Sequence, residues 1–569
     1  MNTRSPQTLT RLALVVLVTA LFPALAQAAP RDELLCLVPE DVAFCLVVQD
    51  LRGHAEALNG SPFAEALRKS PLAAAIKDSA EFKKVAFLDA ELRKQTGLGA
   101  RDIADKLLGD AFVLAFRPKP PGTTGEDQGL FLLRARDAEV LANFVERLNR
   151  AQKESGDLKE LHERQHAGAT YFRRTERKGD NFYYVNGPVL AFSSQEALLH
   201  QAIERDRQKS AGEPAVAQQL RLLGAERSLA AVWINPRAFD GEMRRNLEKA
   251  EGGDKVVQAG FLRYWQALDG IALSLAMEKE ARLTLALRAR TESLPAAAKR
   301  FLIAAARPSE LWDRFPDDAL FALAGRLDAV ALLEMLGDFQ TKEARTALSD
   351  ALERGLGAPA GKDFVRDLLP GIGPDIGLCL LAPPSSEKGP LPQGLLAVRV
   401  RSDKGADAAL LSMVDFYARL AVVTYRGQGK AISLKSSRQD KVEVKYLDGE
   451  GVFPLGVRPA YALVDGYLVF ASSPEALRRF GPARTAKAPG EVPLLRLSAR
   501  ALSRYLTERR EALLPVVAEK NNLSKAETAR RFDGLRAGLR LLDRVEIVQS
   551  SEPGKLSLTL RLQTAQPLK

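Results

Sequence analysis

The chain predicts an α+β fold: two tandem, similar modules of mostly antiparallel sheet packed with helices, after a signal peptide. Three observations carry this. First, the chain repeats itself. Asn186–Leu198 read N-G-P-V-L-A-F-S-S-Q-E-A-L, and Asp465–Leu477 read D-G-Y-L-V-F-A-S-S-P-E-A-L, with six of thirteen positions identical where chance gives roughly one. Second, apolar runs of strand length are paired across proline- and glycine-rich loops, with helical segments between them. Third, residues 1–28 have the build of a signal peptide. Arg4 and Arg11 form a positive flank, Leu12–Ala26 an apolar core, and Ala26-Gln27-Ala28 a small-x-small cleavage site.

The repeat extends along the chain in constant order. Pro39-Glu40-Asp41 matches Pro316-Asp317-Asp318, Leu107–Ala111 resembles the region from Leu368 to Ile376, and Gln128-Gly129-Leu130 matches Gln393-Gly394-Leu395. Leu268-Asp269 and Leu542-Asp543 each open two alternating runs. A period this long means two domains, since solenoid units run about 20–50 residues. The expected division is 34–292 for the first module, 293–314 for a helical connector bounded by proline and alanine, and 315–565 for the second module.

Each copy opens with a proline-acid turn and a strand, Val42–Gln49 or Ala319–Gly325. Helical segments follow, Ala55–Lys69 and Leu327–Glu353. A hairpin comes next: Ala111–Arg117 with Gly129–Ala135 around Pro118–Gly122, and Ile376–Leu381 with Leu395–Val400 around Pro383–Ser386. Val140, Leu141, Phe144, Val145 and Leu148 then share one face at helical spacing. Strands are expected around Thr170–Arg174, Phe182–Val185 and Val189–Phe192. Near each end, Ile271–Met277 and Arg282–Arg288 alternate apolar and polar residues, as a sheet with one wet face does. The last helix, near Asn522–Arg544, has Ser524 and Glu527 at capping-box spacing, with Phe532, Leu535, Leu539 and Leu542 on one face.

Composition bounds the function. Apolar content of 46% and charged content of 27% are ordinary for a globular protein. The formal charge is +11, and two less once Arg4 and Arg11 are removed. Over this length that permits attraction to an anionic polymer or lipid surface and gives no argument for nucleic acid. Cys36, Cys45 and Cys379 are too few for a disulfide framework. They read as buried thiols, with one bridge open to them in an oxidising compartment. After the leader, no stretch is long and apolar enough to cross a bilayer, which places the mature chain in the periplasm or outside the cell.

The sharpest chemical motif is His162-Glu163-Arg164-Gln165-His166. It fits H-E-x-x-H, which on a helix puts two histidines on one face for zinc with the glutamate as general base. Its candidate roles are metal ligation by His162 and His166, catalysis by Glu163, and a third ligand from Glu196 or Glu204. Against it, Ala167–Phe172 reads as a turn into a strand, and the second copy has Ser436-Ser437-Arg438-Gln439-Asp440 there. The favoured reading is a solvated polar segment, with no catalytic, metal or cofactor residue. The duplicated Ser193-Ser194-x-Glu196 and Ser472-Ser473-x-Glu475 read as helix caps, with Pro474 at the first helical position, rather than as nucleophiles. The proline-acid turns read as entries to strands. Arg530, Arg531, Arg536, Arg540 and Arg544 read as a solvated face.

The leader, the L-x-P-[ED]-D entry to the first strand, the late serine-serine segment and the two-fold arrangement resemble an exported planctomycete-type bacterial family of unknown function. The resemblance implies export and two modules, and carries no activity, cofactor or catalytic residue. The expected function is non-enzymatic binding or scaffolding in the cell envelope, with envelope proteins as partners. Two rivals are a carrier of an apolar ligand such as lipid, and a zinc hydrolase centred on His162, Glu163 and His166.

Overall fold

The computed structural model describes residues 29–119, 128–208, 212–384, 389–402, 405–439, 442–481 and 491–568. The expected signal peptide, the tips of the two proline-rich loops and Asp440 lie outside these residues.

Among the described residues, twenty strands form one antiparallel sheet. They are β1 (Phe44–Gln49), β2 (Ala111–Arg117), β3 (Gln128–Arg134), β4 (Leu158–His166), β5 (Ala169–Glu176), β6 (Gly179–Asn186) and β7 (Val189–Ser193). Next come β8 (Ala230–Ile234), β9 (Leu268–Met277), β10 (Ala281–Ala289), β11 (Phe321–Arg326), β12 (Ile372–Leu381) and β13 (Gln393–Val400). The rest are β14 (Ser433–Gln439), β15 (Val442–Asp448), β16 (Ala460–Val464), β17 (Tyr467–Ala471), β18 (Val492–Ser498), β19 (Leu542–Glu552) and β20 (Lys555–Thr564).

Their pairings give the order β4-β5-β6-β7-β3-β2-β1-β8-β9-β10. The order continues β20-β19-β18-β11-β12-β13-β17-β16-β15-β14. Read outward from the β10–β20 seam, the two halves have the same order. At the seam Thr284 faces Thr559, with their hydroxyl oxygens 3.0 Å apart, and a leucine pair flanks them on either side: Leu283 with Leu560 and Leu285 with Leu558.

The hairpins form where alternation and loop prolines place them: β2 with β3 and β12 with β13. The strand after the proline-acid turn begins at Phe44, two residues later than expected, because Glu40 and Asp41 occupy the turn. The connector contains the helix Ala296–Ala305, started by Pro295. The last helix spans Lys525–Leu539, and Ser524 accepts from the Glu527 N–H at 3.2 Å. Phe532 and Leu539 are buried there, whereas Leu535 is exposed.

The sheet has two unlike faces. On one, small residues predominate. Cys45, Ala111, Val113, Ala115, Ala231 and Ala272 are buried beneath Leu34, Leu35, Leu198, Leu199 and Leu220 from the covering helices. Ala322, Ala324, Cys379, Leu395 and Ala397 are buried in the same manner beneath Leu311, Phe315, Leu477 and Phe480. Small side chains let a helix lie close to the pleat, so this face holds the main core. The other face carries the large aliphatic residues. Helix Ala138–Ser155 covers it at one end, packing Leu141 with Phe131, Leu133 and Phe192. Helix Ala406–Gly427 covers the other end, packing Leu410 with Val400 and Phe470.

The middle of that second face is open, and this reverses the usual sense of alternation. An antiparallel strand ordinarily turns its apolar residues inward and its polar residues to water. On β9, Ser274 is 6% exposed and Leu273 is 44% exposed. On β10, Ala286 is buried while Leu283 and Leu285 are exposed.

Candidate functional site

The residues singled out for metal chemistry do not form the arrangement that the zinc rival requires. The histidine-glutamate segment lies on β4, where His162 pairs with Arg173, Glu163 with Phe172 and His166 with Ala169. A strand turns successive side chains to opposite faces, so Glu163 points away from both histidines. Four residues of extended chain separate His162 and His166 by about 13 Å, whereas one helical turn brings such a pair together. The hydrolase geometry is therefore not made. His162 Nε2 sits 2.9 Å from Glu160, and His166 Nε2 sits 2.7 Å from Glu204. Among the described residues no group of three or more histidine, cysteine, aspartate or glutamate side chains is placed to hold a metal.

A polar cluster stands at this place; sequence reasoning brings Glu196 and Glu204 toward this segment but misses His200, Tyr171 and Arg164. The ring of His166 stacks on His200, with centroids 3.7 Å apart and planes within 3°. Tyr171 approaches His200 edge-on at 5.1 Å. Glu196, one helical turn before His200 on the helix Glu196–Gln208, accepts from Arg164 at 2.6 Å and from the Tyr171 hydroxyl at 2.7 Å. Burial pushes Glu196 upward, but the Tyr171 and Arg164 hydrogen bonds outweigh it and hold the carboxyl below its usual range. Burial and the neighbouring His166 push His200 down. Parallel rings stacked at this distance hold a hairpin to a helix and do not converge their nitrogens on one point.

The serine motifs divide. Ser473 caps its helix, accepting from the Ala476 N–H at 3.1 Å with Pro474 following. Ser193 does not form the expected box with Glu196; it donates to the Gly129 carbonyl at 2.8 Å and accepts from Gln195. The carboxylates of the proline-acid turns are taken by arginines: Asp41 by Arg117, Glu40 by Arg205 and Asp318 by Arg479. On the last helix Arg531 pairs with Glu527, while Arg510 and Arg536 share Asp533. The three thiols are free, and burial pushes those of Cys45 and Cys379 up to about 12.

The open aliphatic face is the feature left without an internal partner. Following the register from β3, one row runs Phe131, Leu114, Leu46, Val232, Leu273, Leu285 and Leu558. A second row runs inward from β13: Leu396, Leu378, Leu323, Leu495, Ile547, Leu560 and Leu283. Leu114, Leu273, Leu283, Leu285, Leu323, Ile376 and Leu396 are all exposed. Seven side chains, each leaving about two-fifths of a leucine in water, amount to roughly 500 Å², at the upper end of what a monomer leaves open. Strands spaced about 4.8 Å apart stretch this surface over some 50 Å. Its exposed side chains are aliphatic and uncharged, suited to excluding water from flexible hydrocarbon.

Gln549 interrupts the face in register with Leu558, and its side-chain amide donates to the Ala305 carbonyl at 3.2 Å. The C-terminal end of the connector helix therefore reaches this surface. Among the described residues no helix is long and apolar enough to cross a membrane. Comparison with family models, curated proteins and solved structures finds no match.

Proposed function

We propose that this chain is an exported, non-enzymatic, two-module protein of the cell envelope that binds the acyl chains of a lipid on its open leucine face. The observation that carries the reading is the reversed alternation of β9 and β10, with Leu273, Leu283 and Leu285 toward water and Ser274 and Ala286 in the core. Exposed leucines at this density draw a fold toward aggregation unless something covers them. The seven exposed side chains of the face are leucines and an isoleucine, which favours hydrocarbon chains over planar ligands. At roughly 25 cal/mol per Å², covering 500 Å² offers about 12 kcal/mol before the costs of association.

The two-module organisation is supported by the repeated strand order and by the seam, where Thr284 and Thr559 face each other between two leucine pairs. In this reading the modules 34–292 and 315–565 join edge to edge as two copies of a homodimer would, with the connector 293–314 linking them. The basic, apolar leader over 1–28 supports export. The resemblance to the planctomycete-type family agrees with both points.

Titrating the mature protein with a fluorescent fatty-acid analogue tests the proposal. Saturable binding that unlabelled phospholipid reverses is expected. A stable dimer that buries the face and binds no analogue would sink the carrier reading in favour of a scaffold built from copies of this chain.

A further inference from the structure

At one rim of the leucine face, the start of β12 meets the connector helix and the helix Ala329–Gly337 around a cavity of about 420 Å³. Three arginines line it: Arg300 from the connector helix, Arg326 from the end of β11, and Arg401 just beyond β13. Two carboxylates, Asp328 and Glu334, share the lining. Their engagements are unequal. Arg300 donates to Glu334 at 2.6 Å and lies 3.9 Å from Asp328, whose other oxygen caps the helix by accepting from Ala331. Among the described residues, neither Arg326 nor Arg401 has an ion-pair partner, and Arg326 Nε is buried without a hydrogen-bond acceptor. A guanidinium nitrogen withdrawn from water with no acceptor carries a desolvation cost that a bound oxyanion would relieve.

The cavity and the leucine face share strand β12. Ile372 and Pro374 line the cavity, and Ile376 of the open face follows on the same strand, beyond an irregularity in its register. The connector helix reaches both places, contributing Arg300 to the cavity and the Ala305 carbonyl to Gln549 on the face. Three arginines against two carboxylates leave one net positive charge, beside a surface suited to hydrocarbon.

Building on the acyl-chain reading, we infer that this cavity takes the singly charged phosphate-ester headgroup of the lipid whose chains lie on the leucines. Arg326 and Arg401 receive the phosphate oxygens, and Arg300 stays with Glu334. The ligand class is then an anionic phospholipid in preference to a neutral glyceride.

The test displaces a neutral apolar dye, N-phenyl-1-naphthylamine, from the mature full-length chain. The competitors are dihexanoyl phosphatidylglycerol, dihexanoylglycerol and inorganic phosphate. The phosphatidylglycerol is expected to compete at least tenfold more strongly than the glyceride, with phosphate alone ineffective. In R326Q/R401Q, dye affinity and melting temperature are expected to stay unchanged while that preference disappears. R401Q alone is expected to lose part of it. Equal competition by both lipids in the native chain, or an undiminished preference in the double variant, would overturn the headgroup assignment and leave the leucine face intact. Displacement by phosphate at the same concentration as by phosphatidylglycerol would mean an anion site with no lipid role. Absence of dye binding would remove the acyl-chain reading itself, and this assignment with it.

Discussion

Leu273 and Ala272 are neighbours on β9 and face opposite ways, so one substitution made at both positions separates a binding surface from a core. Ala272 is 1% exposed and clusters with Leu220 and Leu223. Glutamate there buries a charge with no partner and displaces packed helices, which costs several kcal/mol out of the roughly 5–15 kcal/mol that hold a domain folded. Leu273→Glu puts the same carboxylate into water. Its expected cost to folding is below about 1 kcal/mol, in the range of exposed substitutions. Its effect on ligand is larger. The exposed two-fifths of Leu273 is roughly 75 Å², worth about 2 kcal/mol of contact with an apolar chain. Covering the carboxylate adds a desolvation penalty, so affinity should fall at least about 30-fold. Thermal melts and binding of the fluorescent fatty-acid analogue measure both quantities. Ala272→Glu should be insoluble or melt far below the native chain, and Leu273→Glu should melt near it with binding lost. If Leu273→Glu unfolds as severely as Ala272→Glu, or binds the analogue as the native chain does, the open-face reasoning is wrong.

Other consequences follow from single contacts. Removing the seam hydroxyls by Thr284→Ala and Thr559→Ala should each cost about 1 kcal/mol, with a coupling of roughly 0.5 kcal/mol in a double-mutant cycle by chemical denaturation. Ser473→Ala should lower stability by about 1 kcal/mol through the lost cap, whereas Ser193→Ala should cost a comparable amount through its bond to Gly129 without uncapping a helix. His200, facing His166, Glu196, Glu204, Arg164 and Tyr171, is pushed down by burial and by the adjacent imidazole. A base depressed in the folded state stabilises the fold above its unfolded value of about 6.5 and loses that contribution as pH falls through the folded value. The melting temperature should therefore drop between pH 7.5 and 5.5, and His200→Phe should flatten that part of the drop. Iodoacetamide at pH 8 should leave Cys45 and Cys379 unlabelled in the native chain and label both in denaturant, because burial keeps each thiol protonated.

The parts of this architecture that are written locally were legible. Alternation and loop prolines mark β2, β3, β12 and β13, and Ser473-Pro474 marks a helix start. Strands β4 and β14 were hidden because they lie at the two outer ends of the sheet. Lys159, Glu160, His162 and Glu163 are all exposed, so both sides of β4 read as polar and no period appears. The same polarity let a zinc motif suggest a helix that the turn at Ala167-Gly168 already argued against. The leucine face was hidden for another reason. In I-A-L-S-L-A-M the alternation is plain, but sequence does not say which side the helices take. Helices settled on alanine, serine and glycine, where close approach is possible, and left the larger residues outside. The His166–His200 stack joins positions that no local spacing relates.

Native mass spectrometry of the protein purified from its own cells, followed by organic extraction, tests the proposed lipid carriage most directly. A mass excess that extraction removes, and that fragments to fatty acyl chains with a phosphate-bearing headgroup, is the predicted result. A bare polypeptide mass, with no extractable lipid and no uptake when phospholipid is supplied, would contradict it.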